Sequence, residues 1–95
     1  MNCQEITYTR HAFTRMFSRS ISPEQIRSIV SNGEVIIEYK DDTPFPSILL
    51  LGYSNERPIH VLVGRDSSTA KCYVITVYEP DPVIWEDDYK RRRKK

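Results

Sequence analysis

From Tyr8 to Arg19 the apolar residues Ala12, Phe13, Met16 and Phe17 recur at the three-and-four spacing of one helical face, which predicts a first helix with those side chains toward a core. His11, Arg15 and Arg19 follow at intervals of four. At 100° per residue they form a stripe about 80° wide and about 130° from the middle of the apolar one, so this helix carries a cationic ridge beside its core face. Ser22-Pro23-Glu24-Gln25 is a strong start for a second helix: the Ser hydroxyl caps free N–H groups, Pro fits the first turn, and Gln25 sits where a capping-box side chain reaches back. Ile26, Ile29 and Val30 give its buried stripe, and Asn32-Gly33 ends it, with Gly expected in a left-handed turn.

After Gly33 the period changes to two. Val35, Ile37 and Tyr39 alternate with Ile36 and Glu38, and Asp41-Asp42-Thr43-Pro44 is a turn. The unbroken run Ile48–Leu51 fits a strand buried on both faces. Two further strands follow, over Ile59–Arg65 and Lys71–Glu79, each preceded by a turn, and Pro80 and Pro82 stop the last one. In that last strand Tyr73, Ile75, Val77 and Glu79 are assigned to the core side, leaving Thr76 and Tyr78 on the open side. Short turns favour antiparallel neighbours, so the reading is an α+β fold: an N-terminal helical hairpin packed on an antiparallel sheet of about four strands. Glu5–Thr7 can add a short edge strand.

Ninety-five residues leave room for one domain, read as residues 1–89 with a basic tail at 90–95 expected to be disordered. Six of the fourteen cations lie in that tail, so over residues 1–89 eight cations face thirteen acids, a balance of −5. A generic nucleic-acid binder would spread its positive charge over a face of the domain, so any polyanion site here must be local. No apolar run is long enough to cross a bilayer and the start lacks a signal-peptide pattern, which makes a cytoplasmic protein the expectation. Cys3 and Cys72 are expected as isolated thiols, and with two histidines and no cysteine pair neither a metal nor another cofactor is expected.

Two clusters can carry chemistry. His60 lies inside a Val/Leu-rich strand, where an imidazole either has a specific hydrogen-bond partner or serves a site. If it faces the same way as Tyr78, the two border one surface as a proton-transfer pair. His11, Arg15 and Arg19 are either a solvated helix face or a phosphate grip of planar guanidiniums. The acids around Glu79–Asp81 and Glu86–Asp88 read as solvated loop groups, and Trp85 as the residue that packs a C-terminal segment onto the sheet.

His11-Ala12, Arg15-Met16, Ser22 with Ile26, Gly33–Ile36, Tyr39, Pro44–Pro46, Gly52, His60-Val61 and Thr76–Asp81 before Trp85, in the order helix, helix, strands, resemble a family of small prokaryotic proteins described as a domain of unknown function. That family is similar to the RelE/ParE-type toxins. The resemblance implies the toxin of a type II toxin-antitoxin pair, a metal-independent endoribonuclease acting on messenger RNA, with a zinc-finger antitoxin as partner. It carries over His11, Arg15, His60, Tyr78 and Trp85 as site residues. His60 is then acid or base, Tyr78 its proton-transfer partner or an RNA positioner, and Arg15 with His11 the phosphate clamp. The rival reading is a protein-binding module without catalysis.

Overall fold

The computed structural model describes residues 1–94. Seven elements follow in order: β1 (Glu5–Tyr8), α1 (Arg10–Ser18), α2 (Pro23–Asn32), β2 (Glu34–Tyr39), β3 (Ser47–Ser54), β4 (Arg57–Asp66) and β5 (Lys71–Tyr78). The strands form one sheet in the order β1-β5-β4-β3-β2. The pairs β2/β3, β3/β4 and β4/β5 are antiparallel, as their short turns demand, whereas β1 runs parallel to β5. The sheet therefore has five strands and is mixed, in place of the expected antiparallel sheet of about four. The helices are not an N-terminal hairpin either: β1 precedes them, α1 packs mainly on β5 and α2 on β3 and β4.

Local chemistry sets both helices. The Thr9 side chain accepts from the Ala12 N–H and caps α1. Ser22 and Gln25 form the full capping box of α2, with Ser22 N–H donating to Gln25 Oε1 at 2.7 Å and Gln25 N–H to Ser22 Oγ at 3.2 Å. Gly33 ends α2 with φ −67°, not left-handed; glycine is needed there for space, since a Cβ would stand 2.5 Å from the Ile29 carbonyl oxygen. Gly52 likewise lets Ile29 press onto β3, where an added Cβ would lie 2.5 Å from Ile29 Cγ1.

The core lies between the helices and one sheet face. Ala12, Met16, Ile26, Ile29 and Val30 meet Leu50, Ile59, Val61, Val63, Cys72, Val74 and Val77. Leu49 and Leu51 are also buried, on the other face, so β3 is covered on both sides as its apolar run requires. In β5 the register slips: Thr76 pairs with Leu62 and Val74 with Val63, leaving Ile75 as a bulge. Cys72 and Val74 thereby face the helices and Tyr73 and Ile75 do not, which corrects the expected strict alternation. Phe13 and Phe17 also depart from expectation, being 61% and 84% exposed. Only Ala12 and Met16 of α1 reach the core; the two phenylalanines lie about 100° further round.

Cys3 and Cys72 form a disulfide, Cα–Cα 5.6 Å, instead of two thiols. The parallel pairing that sets Ile6 opposite Cys72 brings the chain start to the end of the sheet. Of the expected disordered tail at 90–95, Lys90–Lys94 fold back and Lys95 lies outside the described residues: Glu86 N–H donates to Arg91 O and Arg93 N–H to Ile84 O, both at 2.8 Å, and Lys90 pairs with Glu34 at 3.1 Å. No helix among the described residues is long and apolar enough to cross a membrane.

Candidate functional site

The face of the sheet away from the helices can be read rung by rung. Cross-strand pairing sets Leu51, His60 and Tyr78 in one row and Ile37, Leu49, Leu62 and Thr76 in the next. Successive residues alternate sides, so Thr76 and Tyr78 share this face, roughly 6.8 Å apart along the strand.

His60 has no exposed surface. Its Nε2 lies 2.7 Å from the Tyr89 carbonyl oxygen, which only accepts, so Nε2 carries the proton and donates. Nδ1 is thereby left to accept from the Tyr78 hydroxyl at 3.1 Å. Both ring nitrogens are used, and the ring stands edge-on to Trp85 with centroids 4.5 Å apart. Burial lowers the His60 pKa from its ordinary value, and the Tyr89 carbonyl, which favours the N–H, offsets part of that. In this conformation His60 presents no surface to a substrate, and the group next to its Nδ1 is the Tyr78 hydroxyl.

Tyr78 is half-buried and lines a cleft of about 810 Å³ together with Trp85 and Arg92–Lys94. Burial raises the pKa of its phenol; Tyr39 adds to the rise and Arg92 opposes it. The Arg92 guanidinium lies over the Trp85 ring, 5.3 Å from its centroid. Trp85 itself is buried, which is the packing role its sequence context indicated. A second cavity of about 520 Å³ is lined by Tyr39 and Leu62.

His11 joins the same face from outside. Beyond Val74 the edge of β5 has no strand beside it, and the start of α1 takes that place: Thr9 N–H donates to Val74 O and Thr9 Oγ1 to Ile75 O. The exposed His11 side chain then reaches Thr76, Nε2 to Oγ1 at 3.0 Å. Arg15 on α1 and Arg19 at its C-cap are exposed, and neither guanidinium pairs with a carboxylate among the described residues. Of the expected site residues, His11, His60, Tyr78 and Trp85 thus come together around one face. Arg15 and Arg19 are not tied to it by any contact.

A family model described as a domain of unknown function (DUF4258) matches residues 8–79. The chain belongs to the DUF4258 family. No curated protein and no solved structure is similar enough to the chain to count as a match. The DUF4258 span contains His11, Thr76, His60 and Tyr78, whereas Trp85, Tyr89 and Arg92–Lys94 lie beyond it. Sequence reading missed Arg92 and Arg93 as parts of the site because a closing run of cations reads as a solvated tail. It also missed the Tyr89 carbonyl, a backbone group with no signature in the sequence.

Proposed function

We propose that this DUF4258 protein acts on single-stranded RNA as a metal-independent endoribonuclease, in the manner of the RelE/ParE-type toxins it resembles, with a small zinc-finger protein as antitoxin. The likeness to those toxins is analogy, and the chemistry must come from the site. One observation carries the reading: Tyr78 lines the cleft and directs its hydroxyl proton to His60 Nδ1, while the Tyr89 carbonyl holds the far side of that ring. As an RNA 2′-hydroxyl attacks its neighbouring phosphorus, Tyr78 takes the hydroxyl proton and passes its own to His60. His11, held against Thr76 in the next rung, protonates the departing 5′-oxygen, leaving a 2′,3′-cyclic phosphate and a free 5′-hydroxyl. Arg92 offsets the added phosphate charge. His60 acts here through Tyr78 and positions it.

A fluorogenic single-stranded RNA tests this. Cleavage should yield a 2′,3′-cyclic phosphate and disappear with a 2′-deoxy substrate, and Tyr78→Phe and His11→Ala should each slow it by roughly 10²–10⁴. An unchanged rate in Tyr78→Phe removes the scheme. A second reading, a protein-binding module without catalysis, is favoured by the complete burial of His60. It requires that the wild type leave the RNA intact.

A further inference from the structure

The first helix spends little of its apolar surface on the core. Phe13 and Phe17, 61% and 84% exposed, stand one turn apart on the same side of the helix and make an aromatic ridge. Isolated exposed apolar residues are ordinary, but paired aromatic rings presented on a rigid element mark an interaction surface. The ridge lies roughly 140° round α1 from His11, so it faces away from the side that reaches Thr76.

Charge says what kind of partner fits. Residues 6–23 contain Arg10, Arg15 and Arg19 and no Asp or Glu, whereas the rest of residues 1–89 holds five cations against thirteen acids. All three arginines are exposed and none pairs with a carboxylate among the described residues. Arg10 sits about 40° from the ridge, close enough to meet a group on anything laid along it, and Arg15 and Arg19 add attraction at longer range. Within an acidic stretch of residues 1–89, α1 thus carries unpaired positive charge, with Arg10 beside its bare apolar surface.

We propose that α1 is a docking surface for a partner protein presenting a short acidic amphipathic helix, its apolar stripe laid along Phe13 and Phe17 and its carboxylates toward Arg10. Apolar anchors at helical spacing supply the contact, and opposite charge supplies orientation and selectivity. The surface is independent of the RNA reading.

The probe is a displayed library of random 16-residue peptides, panned on the full chain and counter-selected on Phe13→Ser/Phe17→Ser, which should fold because both side chains are exposed. Selected peptides should be acidic, with apolar residues at i, i+3/i+4 and i+7. A synthesised winner should gain helicity on binding and lose at least tenfold in affinity to the double variant. Arg10→Glu, which leaves the ridge in place, should weaken it as well, and added salt should reduce binding. The proposal is overturned if no peptide discriminates wild type from the double variant, or if the winners are basic. It is also overturned if the wild type sediments as a dimer that the double variant does not form, which makes a second copy the occupant. Loss of single-stranded RNA affinity in the double variant overturns it too, by assigning the ridge to RNA.

Discussion

The sheet has one face closed by two helices and one closed only at its ends. The helix side is aliphatic: Leu50, Val61, Val63, Val74 and Val77 pack against Ile26, Ile29 and Val30 with almost no exposed surface. The other side mixes buried Leu49 and Leu51 with aromatic and polar groups, and is covered at one end by Phe45 stacked on Tyr73 at 5.3 Å and at the other by the segment that carries Trp85 and Tyr89. Between these covers lie Leu62, Thr76 and Tyr78, each only partly buried. Shape-filling side chains make a stable wall on the first side. On the second, hydrogen-bonding side chains are held in register by that wall, and this is where chemistry can be placed. Most of the core and the candidate site thus lie on opposite surfaces of the same strands.

The strongest way to break this division is at the edge where the disulfide ties the chain start to β5. It joins residues separated by 69 positions, and closing a loop of that length stabilises by about 4 kcal/mol in the chain-entropy account. Cys3→Ser with Cys72→Ala should therefore lower unfolding free energy by about that much, read from urea melts. A loss under about 1 kcal/mol would show that β1 and the helix-side wall hold without the cross-link.

Two leucines sharpen the comparison at smaller cost. Leu50, fully buried on the helix side, should lose about 3 kcal/mol on substitution by Ala, whereas half-buried Leu62 should lose about 1 kcal/mol. Equal losses in the two urea midpoints would mean that the open face is as much a core as the closed one.

Much of the closed side was legible from local pattern. Ser22 and Gln25 declared the start of α2, the run Ile48–Leu51 declared a strand buried on both faces, and alternation in Ile59, Val61 and Val63 picked out their shared side. Each of those signals is short-range and repeats a period. What escaped depended on contacts between distant segments. A single bulge at Ile75 reversed the facing of Cys72–Ile75, and nothing in those residues announces it. Parallel pairing of β1 is what makes Cys3 and Cys72 neighbours, and it cannot be inferred from two isolated cysteines. Phe13 and Phe17 match the helical spacing of a core stripe, yet α1 is short and lies at the sheet edge, where only Ala12 and Met16 find cover. On the open side His60 and Tyr78 could be suspected from the alternation of their strands, but the Tyr89 carbonyl that fixes the tautomer could not.

The two sides also separate by pH. Burial depresses the His60 pKa in the folded chain below its ordinary value near 6.5. Between that lowered value and 6.5 the unfolded chain binds more protons than the folded one, so stability rises with pH across this window and is lost as pH falls through it. One group can contribute a slope of at most about 1.4 kcal/mol per pH unit. The charge would also arrive where it is unwelcome: Nδ1 would become a donor toward the Tyr78 hydroxyl, which now donates to it. Urea melts between pH 5 and 8 should accordingly show the wild type gaining stability with pH, while His60→Gln shows a flatter profile. The Leu50→Ala variant, altered only on the helix side, should keep the wild-type slope although its stability is lower throughout. If the slope survives in His60→Gln, a group other than the buried imidazole sets it, and the polar row of the open face is not where folding senses protons.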